Sequence, residues 1–197
     1  MPQQFNRNSL FPFIPPPPKR KVFISYHHSG DQLYYNAFSK TFADTYDVIY
    51  DNSLERMIDS DNVDYVMQRI RDTCISGSSC TIVLCGLLTP WRKYVDWEIK
   101  ATLDKGHGLI GVNLPTNPPG PNGKFIIPSR LHDNIESTYA IWTDWNVVML
   151  NTKNLNGLIE QAISRPAGLI INNRPMMSRN ETPPLERQLP SIFGVTG

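Results

Sequence analysis

The chain has 197 residues, of which 40% are hydrophobic and 19% charged, with 19 lysines and arginines against 18 acidic residues. That length suits one domain of ordinary size and excludes two full domains with a linker. A formal net charge of +1 gives no electrostatic case for nucleic acid or an acidic membrane as partner, and the one basic cluster, Lys19-Arg20-Lys21, abuts an expected strand.

Residues 1–19 read as an N-terminal arm, polar and then proline-rich. Pro15 to Pro18 predict a stiff polyproline II spacer, and Phe5, Leu10, Phe11 and Phe13 are available to anchor it on a partner. The same prolines break the only apolar patch near the start, so it does not read as a secretory signal. Lys21 to Tyr26 is the first expected strand, with Val22, Phe23 and Ile24 as β-formers. It ends in the polar turn Ser25-Tyr-His-His-Ser-Gly-Asp31, ahead of a helix over Asp31 to Tyr46 with Leu33, Ala37, Phe38, Thr41 and Phe42 on one face. Free N–H groups at that helix start favour an anion, although the turn lacks GxGxxG or Walker spacing.

A short second strand is expected over Tyr46 to Asp51. A polar loop over Asn52 to Asp61 follows, with Leu54, Met57 and Ile58 as anchors, and then a helix over Asn62 to Ile75. The next stretch organises the rest. Thr81-Ile-Val-Leu-Cys85 is apolar without alternation, as in a strand buried on both faces. Gly86, Thr89 and Pro90 break the chain, and helical spacing resumes over Trp91 to Leu103. Glu98 lies early in that helix, beside Trp91, Tyr94 and Trp97. In open α/β sheets, chemistry collects where strands end and the next helices begin, which makes this cluster around Glu98 the candidate site.

Leu109 to Leu114 is the fourth expected strand. Pro115 to Arg130, with five prolines and two glycines, is a long loop suited to a lid or a partner contact. A helical turn over Leu131 to Ser137, a fifth strand over Tyr139 to Asp144 and a last helix over Leu155 to Ser164 complete the pattern. Beyond Pro166, Leu169-Ile170-Ile171 suit an edge strand, and the remainder to residue 197 reads as a tail. His107 and His132 read as surface loop residues. No apolar run reaches the ~20 residues that span a bilayer. The three cysteines show no CxxC and no zinc-like spacing, so they read as reduced structural thiols in a cytoplasmic protein with no metal. Five alternations of strand and helix, with right-handed crossovers, predict a flavodoxin-like, three-layer α/β fold with a five-stranded, mainly parallel sheet.

Four blocks in order carry a resemblance: Lys21-Val-Phe-Ile-Ser-Tyr-His-His28, Ser79-Cys-Thr-Ile-Val-Leu-Cys-Gly86, Arg92-Lys-Tyr-Val-Asp-Trp-Glu-Ile99 and Lys105-Gly-His-Gly-Leu-Ile-Gly-Val112. Together they resemble the ThsB family of TIR-like domains from Thoeris antiphage systems, over roughly residues 20–165. The resemblance implies a bacterial enzyme that cleaves the nicotinamide–ribose bond of NAD+, its substrate rather than a cofactor. It also implies a cyclic or modified ADP-ribose product that diffuses to a separate effector. The family's catalytic glutamate falls on Glu98. Tyr94 stands where relatives carry a tryptophan, so Tyr94 or Trp91 would wall the nicotinamide. Ser25, Tyr26, His27 and His28 would supply donors to the rest of the dinucleotide. Trp91 and Trp97 also suit packing, and the two histidines also suit loop capping. TIR enzymes often complete their sites across subunits, so a homo-oligomer or filament is expected. The competing expectation is a non-catalytic TIR scaffold acting by self-association or effector binding. A phosphoryl receiver is excluded, because the central strand ends Leu84-Cys85-Gly86 without an aspartate.

Overall fold

A computed structural model describes residues 19–49, 63–120 and 122–184. The expected N-terminal arm before Lys19, the end of the second strand, the anchors Leu54, Met57 and Ile58, and the last residues of the tail lie outside these. The strands are β1 (Arg20–Tyr26), β2 (Tyr46–Ile49), β3 (Cys80–Cys85), β4 (Gly108–Asn113) and β5 (Ile141–Asp144). The helices are α1 (His28–Phe42), α2 (Val63–Arg69), α3 (Lys93–Asp104), α4 (Ser129–Glu136), α5 (Trp145–Met149) and α6 (Thr152–Ile163). A π-helical turn, Ile70–Ile75, extends α2, and a 3-10 turn, Thr89–Trp91, precedes α3. No helix among the described residues is long and apolar enough to cross a membrane.

The sheet runs β2-β1-β3-β4-β5, and every pair is parallel. This is the flavodoxin-like order that the sequence predicts. β3 lies at its centre with all six residues buried, which explains its unbroken apolar run. Alternation divides the side chains into two layers. Val22, Ile24, Ile82, Leu84, Ile110 and Val112 pack with Phe38 and Phe42 of α1 and Leu155 and Ile159 of α6. On the other face, Phe23 meets Trp97 and Ala101 of α3 and Met67 of α2. Val83 and Cys85 meet Val95, Ile99 and Leu103 of α3 and Leu131 of α4. Each fully buried aliphatic or aromatic side chain contributes roughly 1.5–3 kcal/mol.

Several boundaries differ from expectation for local reasons. α1 starts earlier, because the His27 carbonyl accepts Gly30 N–H at 3.2 Å and Asp31 N–H at 2.8 Å and so closes the first turn at His28. The helical turn expected at Leu131 is a full helix, α4, and α5 was not expected at all, being too short for a period to show. His132 is a helical residue of α4 rather than a loop residue. The edge strand expected at Leu169 to Ile171 does not form. Ala167–Leu169 is a 3-10 turn, and the amide of Asn134 occupies the backbone of Ile171, donating to its carbonyl at 2.8 Å and accepting its N–H at 3.1 Å. The expected tail is likewise corrected up to Glu181: it crosses α4 and α3 and hydrogen-bonds to both.

Candidate active site

The direction in which successive strands are added to the sheet reverses between β1 and β3. The β1 crossover runs outward to β2, and the next runs back past β1 to β3. Such a switch point opens a crevice at the carboxyl ends of its strands, and of the sequence-predicted residues His27 lines the cavity found there.

β1 deals them to two faces. Ser25 follows Phe23 on the α3 side and is buried, with no hydrogen-bond partner for Oγ among the described residues. Tyr26 falls on the α1 side. Its ring stacks on Tyr35 at 4.9 Å, its hydroxyl donates to Gln32 Oε1 at 2.9 Å, and it lies 3.2 Å from His28 Nδ1. The structure therefore groups Tyr26 and His28 with α1 and Ser25 with the glutamate helix. His27 caps the end of the strand and is 5% exposed, with Nε2 at 2.9 Å from Ser29 Oγ. Burial, then the Arg92 guanidinium, then His28 lower its pKa to about 4, so the ring is neutral at pH 7.

Glu98 is 6% exposed. Thr102 Oγ1, one turn further along α3, donates to the Glu98 carbonyl at 2.8 Å and lies 2.7 Å from Thr81 Oγ1 at the start of β3. Glu98 thus lies on the sheet-facing side of α3, about 6 Å nearer the carboxyl ends of the strands than Thr102. At the level of Val83, the residue paired across on β1 is Ser25. Trp91 is buried in the 3-10 turn. Tyr94 is half-buried, with its ring edge-on to Trp97 at 5.6 Å and Lys93 Nζ at 4.9 Å over it. Tyr94 and Trp97 are therefore packed on each other at the start of α3.

Sequence reasoning missed the carboxylate at the mouth of the crevice. Asp31, in the first turn of α1, is 2% exposed. It accepts Thr89 Oγ1 at 2.9 Å and Thr116 Oγ1 at 3.3 Å. Burial raises its pKa to about 6 against those two hydrogen bonds. Gly86 makes the approach possible, because a Cβ there would lie 2.0 Å from Asp31 Oδ1. A cavity of about 260 Å³ opens beside Asp31 and is lined by His27, Gly30, Leu87, Leu88 and Thr116. The only hint in the sequence is a glycine directly after the buried strand. A larger, open hollow of about 580 Å³ lies elsewhere, around Phe125, Ile127, His132 and Arg174.

Among the described residues no cluster of His, Cys, Asp and Glu is arranged to hold a metal ion. Burial pushes the Cys80 thiol up to about 12 and the Cys85 thiol up as well, so both are inert packing groups. The cavity offers a neutral imidazole, a carboxyl held by hydroxyls and backbone approaching closely at Gly86, while the Glu98 carboxylate lies buried on α3 and is not among the lining residues. Such a set can stabilise a positive charge and receive hydrogen-bond donors, while proton transfer at neutral pH is open to Asp31 through its raised pKa.

No curated protein matches the chain. Among solved structures it is similar to the TIR domains in the structure of the activated Roq1 resistosome directly recognizing the pathogen effector XopQ, with 12% sequence identity and a TM-score of 0.35. That similarity covers 49% of this chain and 58% of the other, so this chain spans less than two-thirds of the TIR chain it matches. The family match is confined to the stretch that carries the crevice from β1 to the loop after β4: residues 23–119, with Ser25, His27, Asp31 and Glu98 among them, match the family described as Thoeris protein ThsB, TIR-like domain.

Proposed function

We propose that the chain is a TIR-type enzyme that cleaves the nicotinamide–ribose bond of NAD+ and releases a cyclic or otherwise modified ADP-ribose as a diffusible signal. NAD+ is the substrate, no further cofactor takes part, and a separate effector reads the product in cytoplasmic antiphage defence. One observation carries the reading: within the family-matched stretch, a single glutamate sits nearly buried on the sheet-facing side of the helix after the central strand.

The chemistry suits one carboxylate. Nicotinamide on ribose is a pyridinium, so when the C1′–N bond breaks the electron pair returns to the ring and the base leaves neutral without a proton donor. The positive charge appears on the ribose as an oxocarbenium ion, and an adjacent Glu98 carboxylate stabilises it. Water or a hydroxyl of the same molecule then attacks C1′ and gives its proton to solvent, and a dry site favours the intramolecular attack. Glycosidases typically need two carboxylates because their leaving group needs protonation, whereas this one does not. Ser25, on the same face of the sheet, would meet the ribose hydroxyls. Neutral His27 would act as a hydrogen-bonding group rather than as a cation. Tyr94 and Trp91 would bound the nicotinamide, with Tyr26 and His28 reaching it only through α1.

The reading is tested by incubating purified protein, alone and in assembled or phage-triggered form, with NAD+ and following nicotinamide. Glu98→Gln keeps the shape of the side chain and removes its charge, and is expected to lose turnover by a factor on the order of 1,000. Undiminished nicotinamide release by Glu98→Gln would overturn the assignment. A self-association scaffold would instead signal equally well with either side chain.

A further inference from the structure

The segment after the 3-10 turn Ala167–Leu169 runs along the back of α3. Asp96, in the first turn of α3, is 5% exposed and Arg130 is fully buried. Asp96 Oδ1 accepts Arg130 Nε at 2.9 Å, while Oδ2 accepts Arg130 Nη2 at 3.3 Å and the Met177 N–H at 2.9 Å. The same guanidinium donates to Asn172 Oδ1 at 2.8 Å and to the Pro175 carbonyl at 3.1 Å. Asn172 donates onward to the Lys100 carbonyl at 3.3 Å and to Asp104 Oδ1 at 2.8 Å. Trp97 Nε1 donates to the Met177 carbonyl at 2.8 Å. At the other end, Asn180 Oδ1 accepts the Lys93 N–H at 2.9 Å, and the Glu181 N–H reaches the Trp91 carbonyl at 3.0 Å.

These contacts grip α3 at its first residue, its first turn and its last turn. Lys93, Asp96, Trp97, Lys100 and Asp104 form one stripe at helical spacing, and at about 100° per residue Glu98 falls on the opposite side. Arg92, the residue before α3, gives the helix no side-chain cap, so Asn180 takes that role from a distance in sequence. A slide or rotation of α3 that changed the depth of Glu98 would break this set together.

We propose that residues 172–181, acting through Asp96 and Asn180, position Glu98, so that the C-terminal segment is part of the catalytic unit although it lies outside the family-matched stretch. Asp96, Arg130 and Asn180 are positioning residues and touch no substrate. The proposal rests on the NAD+-cleaving reading.

The test uses the full chain and records kcat, KM and thermal midpoint with NAD+. Asn180 is exposed, and Asn180→Ala is expected to lower kcat about three- to tenfold with KM little changed. The midpoint should move by no more than about 2 °C, while Asn180→Asp, which still accepts the Lys93 N–H, restores the rate. Asp96→Leu with Arg130→Met replaces the buried ion pair by apolar groups, which is expected to leave the midpoint near wild type while kcat stays at least roughly tenfold down. If kcat in these variants remains within about twofold of wild type, or simply follows the midpoint, the positioning role is overturned even though wild type and Glu98→Gln behave as proposed. Should the double variant fail to fold, the Asn180 pair alone decides. Absence of NAD+ cleavage by wild type overturns the catalytic reading and the positioning role together.

Discussion

Two buried aspartates hold two regions of this molecule, and their partners make the difference. Asp31 stands at the crevice between β1 and β3, held by the hydroxyls of Thr89 and Thr116. Asp96 stands at the back of α3, in a two-pronged pair with Arg130. Neutral hydroxyls hydrogen-bond a carboxylate but do not cancel its charge, so burial lifts the pKa of Asp31 to about 6. The fork at Asp96 supplies an opposite charge, and the backbone of the C-terminal segment at Met177 takes part of the remaining acceptor capacity. The first arrangement leaves a carboxyl that titrates near neutrality beside a cavity. The second is a fixed joint between distant parts of the chain.

The comparison can be broken most severely at the joint. Arg130→Met alone leaves the Asp96 charge buried without its partner and should cost about 3–5 kcal/mol in chemical denaturation. A loss below about 1 kcal/mol, typical of exposed pairs, would mean that the joint behaves like a surface contact. At the crevice, Gly86→Ala drives a methyl to within 2.0 Å of Asp31 Oδ1. It should cost about 1–3 kcal/mol and displace Asp31 from Thr89. Asp31→Asn combined with Gly86→Ala would lose less than the sum of the two, because they share the contact.

A subtler contrast lies within the crevice. Asp31 is raised from 3.8 to about 6 in the fold, so its contribution to stability is present below about pH 4 and lost as pH rises through 6. His27 is lowered from 6.5 to about 4, so its contribution is present above pH 6.5 and lost as pH falls toward 4. The two slopes oppose each other over one window. Measured against Asp31→Asn, wild type should lose on the order of 2 kcal/mol between pH 4 and pH 7, and against His27→Gln it should gain about as much. Slopes of the same sign would contradict the arrangement described. The smallest effect belongs to Arg174, which forks onto Asp133 at 2.9 Å through both Nε and Nη2 but stands largely in solvent. Arg174→Ala should cost less than about 1 kcal/mol, despite hydrogen-bond distances like those at Arg130.

How far each region could be read in the sequence follows from how its contacts are spaced. The sheet was legible because β3 and β4 bury both faces and write themselves as apolar runs. Glu98 was legible as the early acidic residue of the helix that follows β3. Ser25, Tyr26, His27 and His28 form one block in the sequence, whereas the two-residue period of β1 assigns Ser25 and Tyr26 to opposite faces. Asp31 is one polar residue in a polar turn, and its partners lie 58 and 85 positions away. The C-terminal segment is the extreme case. Arg130 reaches 34 residues back to Asp96 and 45 forward to Pro175. Neither a period of two nor one of 3.6 marks such side-chain-to-backbone contacts.

The family-matched stretch ends at residue 119, but Asp96 within it depends on an arginine and a backbone N–H supplied from beyond that point. A fragment cut at the boundary of the match would also leave β4 with an open edge where β5 pairs, and would strip Leu131 and Tyr139 from the core beneath α3. An expression boundary drawn from family homology alone would therefore yield a misfolding piece. Among the described residues, the contacts that answer Asp96 and complete the five-stranded sheet extend from β1 through Glu181.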